Sequence, residues 1–219
     1  SSMVFFSRGN RFEGAELPRE AQMAPAFSVN VGDFNGDGHE DIFLSQNFFV
    51  TQPDFPRLDA GRGLLLEGDG KGGLSAVPGE KSGVIVYGEQ RGAALADFDA
   101  DGRVDLVVTQ NSAPTRLFRN RLAQPGLRVR LTGPAGNPSG IGATLQLGFA
   151  RGKGPAREIH AGSGYWSQDS AIQVMGLTER ATELFVHWPG GRTTTTELPT
   201  GASHIVVDSN GRLAAAQAN

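Results

Sequence analysis

The sequence predicts an all-β protein: a partial β-propeller of about two blades, followed by a β-sandwich-like domain. Three observations carry that expectation. Residues 29–44 (VNVGDFNGDGHEDIFL) and 93–108 (AALADFDADGRVDLVV) align without gaps, 64 residues apart. Each reads as an apolar run, an acidic loop and a second apolar run, which is strand, loop, strand, and a repeat of roughly 40–60 residues suits four-stranded propeller blades. From residue 126 onward, short runs alternate apolar and polar side chains between Gly and Pro turns, the pattern of half-buried strands. Glycine supplies 31 of 219 residues, about twice the usual share of roughly 7%, which fits a turn-rich chain.

The elements follow in order. Val4-Phe5-Phe6 and Arg11-Phe12-Glu13 read as the last strands of a preceding blade, and residues 17–24 allow one helical turn. Residues 29–32 and 42–44 flank the first acidic loop, and 93–96 and 106–108 flank the second. Between them, Gly63-Leu64-Leu65-Leu66 and Gly83-Val84-Ile85-Val86-Tyr87 are strand candidates, with a Gly-rich turn over residues 67–73. The texture changes near Gln124-Pro125-Gly126, which sets expected domains of 1–124 and 125–210 with a tail of 211–219. In the second domain Leu127, Val129 and Leu131 alternate with polar residues. So do Leu145, Leu147 and Phe149, and then Leu184, Val186 and Trp188. Thr193 to Thr196 and Ile205-Val206-Val207 add strand-prone runs, and Leu213–Ala218 reads as a frayed helical tail.

Charge and cysteine content exclude several classes. The net charge of −3 is too weak to argue for nucleic acid or an anionic membrane. Residues 1–122 carry 12 basic and 17 acidic side chains, and the acidic excess sits in the two loops. With no cysteine, a disulfide scaffold, a thiolate zinc site and a cysteine nucleophile are ruled out. No apolar run approaches the ~18 residues of a membrane span, and Ser1-Ser2-Met3 reads as a trimmed start without a signal peptide.

The loops carry the chemistry. Asp33, Asn35, Asp37 and Asp41 fall at positions 1, 3, 5 and 9 of the first, and Asp97, Asp99, Asp101 and Asp105 at the same positions of the second. Odd positions of a tight, Gly-bent loop can converge, and hard oxygens in this number suit Ca²⁺, which takes about 6–8 oxygens. Position 7, His39 or Arg103, would lend only its backbone carbonyl, which accounts for two such different side chains. An EF-hand is the wrong reading: position 12 is Leu44 or Val108, not a bidentate Glu, and the flanks are strand-like. Four carboxylates in the second loop, against three and an amide in the first, predict the tighter site in the second.

These loops, DFNGDGHED (33–41) and DFDADGRVD (97–105), resemble the FG-GAP/VCBS repeat of integrin-α-type β-propellers. The resemblance implies a structural Ca²⁺ in each, held by Asp33, Asn35, Asp37, His39 (carbonyl) and Asp41, and by Asp97, Asp99, Asp101, Arg103 (carbonyl) and Asp105. Gly140-Ile141-Gly142-Ala143, Arg157-Glu158, Gly162 to Gln168 and Trp188-Pro189-Gly190-Gly191 resemble the ASPIC/UnbV domain, with Gly190 where that family usually has Ser. In that family the domain follows VCBS repeats, and the match names a fold rather than an activity. Family propellers close with about seven blades, so the resemblance implies a fragment or a unit of a larger assembly.

Catalytic alternatives are weaker. His160, Ser163 and Asp169 suggest a triad, but the local string is not G-x-S-x-G. The four histidines, His39, His160, His187 and His204, form no H-x-x-x-H pair. Trp188 on an alternating strand reads as core, whereas Tyr165-Trp166 in a Gly/Ser turn could form a contact surface for sugar. Arg116, Arg119 and Arg121 read as a solvated or interdomain face. The expectation is a calcium-binding, non-enzymatic, extracellular or cell-surface interaction or adhesion module with a protein or glycan partner and no nucleic acid. Two alternatives stand beside it: a subunit of a surface polymer that assembles through unpaired β edges, and an accessory carbohydrate-binding part of a secreted enzyme.

Overall fold

Short strands separated by tight turns account for nearly all regular structure in the computed structural model, which describes residues 1–49 and 52–214. The hairpin β1 (Met3–Ser7) and β2 (Phe12–Glu16) comes first. A single 3₁₀ turn at Arg19–Gln22 follows, inside the expected window, with Ala21 fully buried. The first blade is β3 (Ala26–Gly32), β4 (Asp41–Gln46), β5 (Leu64–Gly68) and β6 (Leu74–Val77), antiparallel in that order. The second is β7 (Gln90–Ala96), β8 (Asp105–Gln110) and β9 (Ala113–Phe118), with three strands.

The two blades share one register at the acidic loops: Gly32 pairs with Asp41, and Ala96 with Asp105. Each loop therefore springs from a closed ladder. Phe43, Val84, Ala93, Leu95, Leu106 and Val108 form one buried cluster between the blades, and Leu44, Leu64 and Leu66 form another facing the hairpin and its turn. The strand expected at Gly83–Tyr87 does not form. One helical turn, α1 (Gly79–Ser82), precedes an extended segment whose Val86 N–H meets only the Arg62 carbonyl (2.8 Å). Val84 and Val86 are buried while Ile85 and Tyr87 are exposed, so the alternation reflects burial without a ladder.

The second domain is two four-stranded sheets face to face. One runs β13 (Gln173–Met175), β10 (Leu127–Thr132), β16 (His204–Asp208), β17 (Leu213–Ala214), and the other β12 (Gly152–Glu158), β11 (Thr144–Phe149), β14 (Ala181–His187), β15 (Thr193–Glu197). Leu127, Val129 and Leu131 from the first sheet meet Leu145, Leu147, Leu184 and Val186 from the second, closed by Trp188, Ile205 and Val207. Each such side chain contributes about 1.5–3 kcal/mol by leaving water. Pairing is antiparallel except between β10 and β16, which run parallel. Leu213 and Ala214 belong to this sheet rather than to the expected helical tail, because their backbone groups pair with Val206 and Val207; the rest of that expected tail, from residue 215, lies outside the described residues.

The sandwich is bonded to the blades. Arg157 on β12 grips Glu40 with two nitrogen–oxygen contacts of 2.7 and 2.8 Å from Nη2 and donates to the Val174 carbonyl (2.5 Å). Val174 itself packs into the inter-blade core.

Candidate metal centres

Each acidic loop is closed by its first and ninth residues. Asp33 accepts the N–H groups of Gly36 (2.6 Å), Asp37 (3.1 Å) and Gly38 (2.8 Å). Asp41 accepts those of Phe34 (2.8 Å) and, from the neighbouring strand, Gly68 (2.9 Å). In the second loop Asp97 accepts from Asp101 (2.9 Å) and Gly102 (2.8 Å), and Asp105 from Phe98 (3.1 Å) and Asn120 (2.7 Å). Loops this tight need left-handed backbone at two positions. Gly36 and Gly38 supply it at φ 80° and 84°, Ala100 and Gly102 at 62° and 82°.

The loop centres differ. Asp97, Asp99 and Asp105 each bring a carboxylate oxygen within 4.8 Å of the others. Both oxygens of Asp99 are buried and accept no hydrogen bond; the Arg119 guanidinium stands against one of them without hydrogen-bond geometry. Asp101 turns to Arg103 instead, at 3.1 Å from Nη1. In the first loop Asn35 aims Nδ2 at Asp37 (3.1 Å) and Glu67 (2.7 Å), while its Oδ1 accepts the Asp37 N–H (2.9 Å). An amide nitrogen thus stands where the sequence leads one to expect an oxygen. Among the described residues the three-carboxylate grouping forms in the second loop alone. Its donor set fits a hard divalent cation, which would satisfy carboxylate oxygens that now lack a donor.

Burial sets the electrostatics. It pushes Asp41 up to about 6, against the two N–H groups that favour its charged form. Burial also raises Asp33, which has Asp37 beside it, and Asp105, which has Asp99 and Asp101 beside it. Carboxylates crowded in this way gain from a cation at their centre.

Several residues at these loops escaped the sequence reading. Arg128 on β10 lies 2.7 Å from the buried Asp97. The linker crosses both loops: the Gln124 N–H meets the Asn35 carbonyl (3.1 Å), and the Gly126 N–H the Gly102 carbonyl (2.8 Å). Gly176 leaves room for Asp33, whose Oδ2 lies 1.8 Å from where a Cβ would stand. Position 7 uses its side chains too: Arg103 Nε donates to the Ala123 carbonyl (2.7 Å), and the His39 ring packs on Gly70. Only the apolar flanks and the odd spacing were visible in the sequence; these partners come from distant segments.

The remaining candidates separate. Asp169 accepts from Leu95 N–H (2.7 Å) and Asn30 Nδ2 (3.1 Å), Ser163 Oγ accepts the Asp169 N–H (2.7 Å), and His160 lies 3.5 Å from Glu158. No proton relay joins the three. Trp188 is core, 4% exposed, with Nε1 donating to Thr194 (3.0 Å). Trp166 is 95% exposed at φ 52°, on a turn pinned by pairing of Ser163 with Ser167. Beside it Tyr165 meets Phe27 edge-on at 5.6 Å, and Arg91 covers Phe27 at 4.0 Å. Arg119 neither faces solvent alone nor bridges the domains: it serves the second loop.

Residues 133–213 match the family described as ASPIC and UnbV. Cartilage acidic protein 1 of Xenopus tropicalis is 30% identical over 209 residues, covering 90% of this chain and 31% of the relative. The Homo sapiens protein of that name is 22% identical over 219 residues (90% and 30%), and the Mus musculus one 24% over 203 residues (83% and 28%). The chain spans about a third of the length of these curated relatives. Its β-sandwich is therefore similar to the ASPIC and UnbV family, and the likeness to cartilage acidic protein 1 extends through the blades as well.

Proposed function

We propose that the chain is a calcium-stabilised, non-catalytic interaction module that works outside the cell. One observation carries this reading: Asp97, Asp99 and Asp105 converge, and the buried oxygens of Asp99 accept no hydrogen bond, with the Arg119 guanidinium against one of them. A bound Ca²⁺ would supply the positive charge that these carboxylates share, locking the turn between β7 and β8. The first loop, with Asp33, Asn35, Asp37 and Asp41, would be the weaker site, since Asn35 must turn its amide to offer oxygen. The FG-GAP/VCBS likeness of both loops supports the same reading. Oxygen-only sites of extracellular modules bind at roughly 10⁻⁴–10⁻³ M, so calcium outside cells keeps them filled.

Thermal melts with Ca²⁺ and with a chelator test this. Saturation about 100-fold above Kd stabilises by about 2.7 kcal/mol, which is roughly 5–10 °C for a chain of this size. Asp99→Ala should remove most of that shift and Asn35→Ala less. No shift on adding calcium would sink the reading; a larger loss from Asn35→Ala would reverse the order of the sites.

A further inference from the structure

The segment that follows β9 lies across both acidic loops. Arg119 sets its guanidinium against Asp99 and, at 3.6 Å, against Asp101 of the second loop. Asn120 joins the two loops with different groups. Its backbone N–H donates to Asp105 Oδ1 (2.7 Å), a member of the three-carboxylate grouping. Its side-chain Nδ2 donates to the Phe34 carbonyl (2.8 Å), next to Asn35 in the first loop. Asn120 Oδ1 accepts the N–H groups of Leu122 and Ala123, which bends the segment, and the Gln124 and Gly126 N–H groups then meet the Asn35 and Gly102 carbonyls. Residues 119–126 are thus one strap bonded to both loops.

Charge accounts for Arg119. The second loop holds the carboxylates Asp97, Asp99, Asp101 and Asp105, and three arginines face them: Arg128 on Asp97, Arg103 on Asp101 and Arg119 on Asp99. Arg128 is fixed on β10 and Arg103 is tied to the Ala123 carbonyl, whereas Arg119 is 47% exposed and can turn to solvent. A second cation on Asp99 meets Arg119 as a like charge.

We propose that Arg119 is the resident counter-ion of the second loop, given up when that loop takes up calcium, and that the strap couples this event to the first loop through Asn120. The two sites then fill in order, the second before the first, each raising the other's affinity. Ordering the strap on one loop leaves less to order on the other, which is positive cooperativity, and linkage makes it reciprocal. The proposal rests on the reading of both loops as calcium sites and adds how they are regulated.

The test is isothermal titration calorimetry of the full chain with calcium chloride. Two binding phases are expected, and loss of the weaker one in Asn35→Ala assigns it to the first loop. Asp99→Ala should leave only the first-loop site, weakened at least fivefold relative to that phase. In an Asn120→Ala background, which lacks the tie to the Phe34 carbonyl, the same substitution should change first-loop affinity less than about twofold. Arg119→Gln should tighten the second site about fivefold and lower the melting temperature of the chelated protein. Arg119→Lys, which keeps the charge, should stay within about twofold of the unaltered chain. The Arg119 measurements decide the counter-ion even where Asn120→Ala does not fold. An unchanged or weaker second site in Arg119→Gln would overturn that role, and a first site indifferent to Asp99→Ala would overturn the coupling while leaving both calcium sites standing. Absence of any calcium binding by the unaltered chain would remove the calcium reading and this proposal with it.

Discussion

Ala100 occupies a position that its counterpart in the other loop gives to glycine. Its φ of 62° is left-handed, a conformation that costs an L-residue about 1–2 kcal/mol. Ala100→Gly should therefore raise stability by up to about 1 kcal/mol, read from chemical denaturation. Gly36→Ala should do the opposite and by more, since its Cβ would stand 2.4 Å from the Gln124 carbonyl oxygen. Titration of the carboxylates gives a second prediction. Asp41 is raised from 3.8 to about 6, so the folded state holds its proton more tightly than the unfolded one. Its contribution is fully present below pH ~4 and lost as pH rises through 6, at most roughly 3 kcal/mol from this group. Metal-free protein should then melt higher at pH 5 than at pH 7. Calcium-loaded protein should show the reverse, because the ion needs Asp41 and its neighbours ionised. Parallel pH profiles in the two conditions would contradict that account.

Elements divide by whether their burial is one-sided. β10, β11, β14 and β16 each bury one face in the sandwich core, and their period-two pattern was legible in the sequence for that reason. Both acidic loops were legible because the register that closes them is local. β12, GKGPARE, was not: it is an edge strand rich in Gly, with a Pro and three charges, and it has no buried stripe. β13 is three residues long, too short for any period. Gly83–Tyr87 has the pattern without the ladder, since burial alternates along any extended chain laid on a core. Energetics follow the same division. Leu147→Ala on the buried β11 should cost about 2–5 kcal/mol, whereas Leu117→Ala on β9, 55% exposed, should stay within about 0.5 kcal/mol. Denaturation midpoints of the pair test whether the sandwich core, rather than the open blade, carries stability.

At the scale of the whole molecule, the Arg157–Glu40 pair is one of several ties between blades and sandwich, beside Asp169 on Leu95 and Asn30 and Arg128 on Asp97. Arg157 is 11% exposed and Glu40 24%, so the pair is largely out of water. Arg157→Ala leaves Glu40 half-buried without its cation and the Val174 carbonyl without this donor, an expected loss of about 3 kcal/mol. Arg157→Lys should recover part of that loss, because one ammonium cannot reproduce the two-pronged grip. If the alanine variant unfolds in two separate steps, these contacts couple the domains; a single unchanged transition would show that they do not. The parallel pairing of β10 with β16 has a consequence in time rather than energy. It joins Arg128 to His204 and Thr132 to Asp208, so the first strand of the sandwich finds its central neighbour only after some seventy further residues exist. During synthesis the blades can close while β10 still waits, with Arg128 already near Asp97. The sandwich should be the slow step of folding, as expected where distant strands must meet, and a chain arrested before residue 204 would carry finished blades beside an open, adhesive sheet.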